Sequence, residues 1–318
     1  MASKSGTALQ VILAIIIVII LYIITLVVLK IDTIVVVSSN RVKPRETVDI
    51  VDGYAPVTYL AGKTYNTNNT YVDNFRKIGR SVNSMGGAQF TYQFWMKIED
   101  PNDAFFKDLV VLLKGDNRKY KIGLYDPTDG SKLSEKPDDY VIACPMIKFV
   151  DSYRHMRIQF NTMKNPITAM DINMNPNDPG MGRRNVLSLL PLSWYLLTFV
   201  FEDNVSSQSF TENGINVKFW LNDFPYQEMS ASTASTLKST TFKQNNGNLF
   251  LFPEMVQSNN FMKVGNLKYF NYSLTEQDIR NAFKAGPPTR ASVEATSPRN
   301  DSKPAYLTAY NKIDLYNY

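Results

Sequence analysis

The chain reads as an all-β sandwich, preceded by one transmembrane α-helix and followed by a short closing helix and an extended C-terminal tail. Three observations predict this. Between residues 88 and 288, apolar residues recur at alternate positions in short runs bounded by polar turns, the pattern of half-buried strands. The composition agrees, because 18 Tyr and 18 Phe, together with abundant Asn, Thr and Val, favour strands and turns over helices. Residues 9–29 form one uncharged apolar run. At 44% hydrophobic and 20% charged over 318 residues, the chain can bury a sizeable core, which excludes global disorder.

The apolar run, "LQVILAIIIVIILYIITLVVL" from Leu9 to Leu29, is interrupted only by Gln10 and Thr25. A helix rising 1.5 Å per residue needs about twenty residues to span a hydrocarbon core of roughly 30 Å, so Leu9, Ile15, Leu21 and Leu29 mark a membrane anchor. Its many β-branched residues do not oppose this, since a lone segment in lipid satisfies its backbone only as a helix. A cleaved signal peptide would draw on the small residues of "VVSSN" at Val36–Asn40, but the apolar stretch exceeds the usual signal length, which favours an uncleaved anchor. Lys4 precedes the run, whereas Lys30, Arg41, Lys43 and Arg45 follow it. The positive-inside rule therefore places the large C-terminal part on the cytoplasmic face. Glycosylation sequons at Asn68, Asn204, Asn271 and Asn300 are no more numerous than so Asn-rich a chain gives by chance.

Residues 31–87 read as an extended connector with short strands, polar and mixed in character. The sandwich domain is expected over 88–288. In "QFTYQFWMKI", Phe90, Tyr92, Phe94, Met96 and Ile98 share one face and Thr91, Gln93, Trp95 and Lys97 the other. "DLVVLLKGDNRKYKIGLYD" is expected to be two strands turning near Gly115 to Asn117, and "DYVIACPMIKFV" and "RHMRIQF" add more. Residues 161–184, rich in Asn, Met and Pro, read as a long surface loop. "WYLLTFVFEDN" and "GINVKFWLND" form an aromatic hairpin. Its first strand is apolar on both faces and so belongs inside the sheet, while the second places Ile215, Val217, Phe219 and Leu221 inward. Thr275 with Asp278 three residues on marks a helix start, with Leu274 and Ile279 spaced as a hydrophobic staple and Gly286 and Pro287 as the stop. Residues 289–318 are a linker and a Tyr-rich tail, where Tyr306, Tyr310, Tyr316 and Tyr318 are candidate contacts with a partner. In the hairpin, Trp220, Asn222 and Asp223 are the remaining candidates, although sheet packing is the favoured role for Trp220.

Several chemistries are excluded by what the chain lacks. Its single histidine, His155, falls on the polar face of "RHMRIQF", so neither a Ser-His-Asp triad nor a histidine zinc site is supported. The one cysteine, Cys144, lies in an apolar run, can form no internal disulfide and reads as a buried hydrophobe. A formal net charge of +5 with brief basic clusters such as "RKIGR" gives no nucleic-acid surface. Paired carboxylates alternating on one strand, which glycoside hydrolysis would need, do not occur. No catalytic residue, cofactor or metal is assigned.

The ordered blocks "FTYQFWMKI", "LLKGDNRKYKIGLY", "WYLLTFVFEDN…INVKFWLND" and "GNLKYFNYSLTEQDIRNAF" resemble the laminin-G-like, concanavalin A-like jelly-roll family over about Ala88 to Phe283. The N-terminal anchor and disulfide-free, Asn- and Tyr-rich domain are also similar to membrane-associated minor capsid proteins of large double-stranded DNA viruses. These resemblances imply a non-enzymatic structural protein in a membrane, such as a virion inner membrane, with the lipid bilayer and neighbouring capsid or membrane-associated proteins as partners. The alternative is a carbohydrate-binding, lectin-like module. Such family members use rim loops, sometimes with calcium, for which Asp116, Asp126, Asp129, Asp203 and Asp223 are the acids available, though Asp is also ordinary in turns.

Overall fold

In the computed structural model, which describes residues 45–78, 81, 87–121, 139–174, 189–204, 213–255 and 259–292, the strands pair into two six-stranded antiparallel sheets. The first runs β1 (Thr47–Pro56), β12 (Met262–Phe270), β3 (Gln89–Ile98), β8 (Trp194–Asn204), β9 (Gly214–Leu221) and β10 (Phe224–Ser230). The second runs β2 (Lys63–Tyr65), β11 (Asn248–Leu251), β4 (Val110–Lys121), β5 (Asp139–Phe149), β6 (His155–Phe160) and β7 (Thr168–Asn173). A one-turn helix α1 (Val57–Leu60) links β1 to the second sheet, and α2 (Glu276–Ala285) follows β12 as the last described helix. This is a two-sheet β-sandwich of jelly-roll type. The anchor residues Leu9, Ile15, Leu21 and Leu29 and the tail residues Tyr306, Tyr310, Tyr316 and Tyr318 lie outside the described residues. Among the described residues no helix is long and apolar enough to cross a membrane.

Alternation does what period two requires. Phe90, Tyr92, Phe94, Met96 and Ile98 all face the core, as do Ile215, Val217, Phe219 and Leu221 opposite them across β8. On β8, Leu197, Phe199 and Phe201 face the core and Val200 packs on the other side in the cluster with Ile279 of α2, which accounts for its apolar residues on both faces. Within the first sheet Phe90 stacks on its cross-strand partner Phe201 at 4.7 Å, and Phe201 meets Phe160 of the second sheet edge-on at 6.5 Å. Aromatic pairs of this kind add about 1 kcal/mol each to the burial of their area.

Three expectations need correction. Of the connector expected over 31–87, residues 45–65 belong to the sandwich instead: β1 pairs with β12 along most of its length and β2 pairs with β11, so the sandwich begins near residue 45. Irregular register between Asp49 and Val51 and between Val51 and Tyr54 hides the alternation of β1. The segment expected to turn near Gly115 is instead one strand, β4, whose register with β5 shifts at Leu113/Gly115 and Asp116/Lys119. A side chain at Gly115 would press a Cβ to within 1.8 Å of the Ile142 carbonyl oxygen, so the close approach of β5 requires glycine there. The long loop after Asn161 contains β7, which buries Met170 and Ile172 and pairs with β6 through the whole of its length.

The closing helix forms as its sequence dictates. Thr275 caps it, accepting from the Asp278 backbone N–H at 3.2 Å, while Asp278 Oδ2 accepts from the Thr275 N–H at 3.0 Å, a complete capping box. Leu274 and Ile279 are both buried in one small cluster with Val200, Trp220 and Phe270. Gly286 ends the helix at φ 82°. Thr275→Ala is expected to lower stability by about 1 kcal/mol and Thr275→Ser by much less, read as shifts in the urea midpoint at unchanged slope.

Candidate functional site

The outer face of the first sheet carries a concavity. The helix α2 lies across it and leaves a cleft of about 390 Å³, floored by β12, β3 and β8 and walled by the helix. Five attachments hold the helix and the chain on either side of it. Thr91, fully buried on β3, donates its hydroxyl to the Tyr272 carbonyl at 3.0 Å and accepts the Leu274 N–H at 3.1 Å, fixing the chain just before the cap. Ile279 enters the Trp220 cluster, and Phe283 stacks on Trp95 at 6.0 Å. Past the helix, Pro288 packs so closely on Gly265 that a Cβ there would meet its ring at 2.4 Å. The chain then bonds to the edge of β1: Tyr54 N–H donates to the Arg290 carbonyl at 2.9 Å and Ser292 N–H to the Tyr54 carbonyl at 2.7 Å, with Arg290 ion-paired to Asp52. The cleft is therefore built into the fold.

Its lining mixes carboxamides, a carboxylate and apolar surface. Gln93 donates to Thr198 Oγ1 at 2.9 Å, Asn266 Oδ1 accepts the Gly53 N–H at 3.1 Å, and Asn281 Oδ1 accepts from Gln277 at 2.8 Å. Lys268 pairs with Asp49 at 3.1 Å. Asp278 serves the cap through Oδ2. Phe270, Tyr272 and the small side chains of Ala282 and Ala285 complete the walls.

The hairpin candidates Trp220, Asn222 and Asp223 do not line the cleft. Trp220 is buried beneath α2, where it fills the space between helix and sheet. Asn222, at φ 59°, closes the β9–β10 turn: it donates its N–H to the Leu196 carbonyl at 2.7 Å and accepts the Leu196 N–H on Oδ1 at 2.9 Å. Asparagine tolerates this left-handed conformation better than most residues. Asp223 is exposed beside it in the turn.

The acids considered for calcium do not converge. Asp116 is ion-paired to Arg118 on β4, and Asp223 is in the hairpin turn. Asp203 is buried, accepting the Ala88 N–H at 2.8 Å and the Phe242 N–H at 3.0 Å. Asp126 and Asp129 lie outside the described residues. Among the described residues no three His, Cys, Asp or Glu side chains form a cluster that could hold a metal ion. His155 sits on the polar side of β6 with Nδ1 3.1 Å from Asp151. Burial, helped by the charge of Asp203, pushes the Cys144 thiol up to about 12, so it stays protonated and inert at neutral pH.

No family model and no curated protein matches the chain. Solved structures are similar in part. The receptor-binding domain of botulinum neurotoxin D shares 10% identity at a TM-score of 0.42, covering 76% of this chain and 48% of that one. The serotype G binding domain shares 10% at 0.39 over 63% of this chain and 36% of that one. The serotype D ligand-binding domain in complex with N-acetylneuraminic acid shares 10% at 0.38 over 66% and 38%. This chain thus spans between about a third and a half of the solved chains it matches. The class assigned here, a two-sheet jelly-roll β-sandwich, rests on the chain's own sheet pairing.

Proposed function

We propose that the chain is a non-enzymatic, single-pass membrane protein. A laminin-G-like, concanavalin-type sandwich on the cytoplasmic side links the bilayer to a neighbouring protein layer, as in minor capsid or internal-membrane proteins of large DNA viruses. The observation that carries this reading is the joining of an uncharged 9–29 run to a sandwich whose first strand starts at Thr47. A helix so placed holds the domain at a membrane surface, where its contribution is position. The reactive groups support the same reading, because the sole thiol is buried and protonated and the sole histidine is paired with Asp151 on the surface.

The test is extraction and crosslinking of the full chain in native membranes. Full-length protein is expected to stay in the pellet after alkaline carbonate, and a variant lacking residues 1–44 to leave it. Amine crosslinking should trap one defined neighbouring protein, and the sequons at Asn68, Asn204, Asn271 and Asn300 should carry no glycan. Release of the intact chain by carbonate would remove the anchor, and glycosidase-sensitive glycans would reverse the orientation.

A further inference from the structure

We infer that the pole of the sandwich at which β1 begins is a docking surface for an anionic phospholipid layer, formed by the turn at residues 162–165 and the segment 238–243 beside it. The inference deepens the membrane reading proposed above and rests on it. Strand register locates the pole. Thr47 pairs with Phe270, Phe270 with Thr91 and Thr91 with Val200, so β1 starts at the end of the first sheet where β8 finishes. There Asp203 Oδ1 accepts the Phe242 N–H at 3.0 Å and Gly214 bridges to Lys238, which brings segment 238–243 to the same end. The turn after β6 joins it: Met163 N–H donates to the Thr241 carbonyl at 3.0 Å, Lys164 Nζ to the Lys238 carbonyl at 3.0 Å, and Lys243 N–H to the Asn161 carbonyl at 3.0 Å. Residues 30–44, all that separates the apolar run from Arg45, reach at most about 50 Å when fully extended, so an anchored chain keeps this pole near its bilayer.

The turn is fixed and its tip is wet. Thr162 Oγ1 accepts the Asn165 N–H at 2.9 Å, Thr162 N–H donates to the Asn165 carbonyl at 2.9 Å, and buried Asn161 ties the turn to β5. Met163 and Lys164 are thereby set at the tip. Met163 is 68% exposed and Ile167 37%, so both are free to be covered by something outside the fold. Around them Lys164, Lys238 and Lys243 are exposed, and none has a carboxylate partner among the described residues. The acids near this pole are engaged or distant. Glu46 pairs with Lys77 and Glu202 with Lys218, Asp203 is buried, and exposed Asp73 follows β2 at the far edge of the second sheet. Apolar tips among unpaired lysines suit the boundary between acyl chains and anionic headgroups, because the lysine stems lie along apolar surface while the ammonium groups meet phosphate. The opposite pole lacks this combination. Leu190 and Leu192 are as exposed there, but the neighbouring Lys97 and Lys263 both pair with Glu99.

The experiment places an environment-sensitive fluorophore on Met163→Cys, Ile167→Cys or Leu192→Cys in the full-length protein held in lipid nanodiscs. Wild type, whose only thiol is the buried Cys144, is the labelling blank. Spin-labelled lipid should quench the probe at 163 and 167 in discs containing phosphatidylserine, and not at 192. Raising the salt concentration should reverse the quenching, and Lys238→Gln and Lys243→Gln should each lower the ratio of docked to undocked protein about fivefold. Asp223→Ala, in the β9–β10 turn, should leave it unchanged. Melting temperature verifies folding of each variant, and the lysine variants, read with the probe at 167, keep the test decisive if Met163→Cys does not fold. A probe at 163 and 167 that stays in water in a chain retained by the disc overturns this inference alone, whereas release of the chain by carbonate overturns the membrane reading beneath it. Equal quenching in discs of pure phosphatidylcholine, or quenching at 192 in place of 163 and 167, also overturns the inference.

Discussion

Asp203→Asn is expected to flatten the dependence of stability on pH between about 4 and 6. Burial dominates the environment of this carboxyl and pushes its pKa from 3.8 up to about 6, although the N–H groups of Ala88 and Phe242 act in the opposite direction. Between these two values the folded state binds more proton than the unfolded state, so stability must fall as pH rises through that window. The stabilisation is fully present below the unfolded value and is lost once pH passes the folded one. A shift of about two units corresponds to about 3 kcal/mol. An asparagine cannot titrate. It also offers one acceptor where the wild type offers two, so the variant should be the less stable protein at pH 4, with the gap closing toward pH 8. Urea midpoints of both proteins across this range measure it, and parallel profiles would remove Asp203 as the titrating group.

Asn161→Ala should cost roughly 3 kcal/mol, the effect of stranding several buried backbone groups at once. Asn161 is 3% exposed. Its Oδ1 accepts the Ala143 N–H at 2.6 Å, and its Nδ2 donates to the Val141 carbonyl at 3.1 Å and to the Pro166 carbonyl. Its own N–H donates to the Ala143 carbonyl at 2.9 Å, so one residue completes the ladder where β5 and β6 part. Asn161→Asp sharpens the test. A carboxylate would keep the acceptor but set negative charge against two carbonyl oxygens, so this variant should be worse than alanine at neutral pH and recover on acidification, when a protonated carboxyl can donate. Equal destabilisation of the aspartate variant at pH 4 and pH 8 would show that shape, rather than hydrogen bonding, is what Asn161 provides.

The central strands were legible because each carries an unbroken alternation. Phe90 to Ile98 and Ile215 to Leu221 follow period two without a shift, and α2 announces itself with Thr275, Asp278 and Gly286. The strands that were missed or misread break that rule. β1 contains Asp52, Gly53 and two register irregularities, so its apolar residues fall out of phase. β4 bends around Gly115 without reversing, and a Gly-Asp-Asn step looks the same in either case until its partner strand is known. β7 is short and set among Asn and Pro, its only signal being the spacing of Met170 and Ile172. The cleft was not legible at all, because Gln93, Asn266, Asp278 and Asn281 come from separate elements and no local motif joins them. Trp220 is the converse case. Its place opposite the apolar row of β9 is ambiguous until α2 is seen to cover it.

The bond between Ser292 and Tyr54 also has a mechanical meaning. β1 is the first described strand, where a pull along the chain from its N-terminal side would enter the sandwich, and a strand tied along one side only can be peeled away one hydrogen bond at a time. Here β12 grips one side, and the returning segment at Arg290 to Ser292 grips the other, reinforced by the Arg290–Asp52 ion pair. Ladder hydrogen bonds lie across the strand direction, so a force along β1 loads many of them together in shear. The first strand thus acts as a splice under tension, and the segment from Arg290 to Ser292 serves as its clasp.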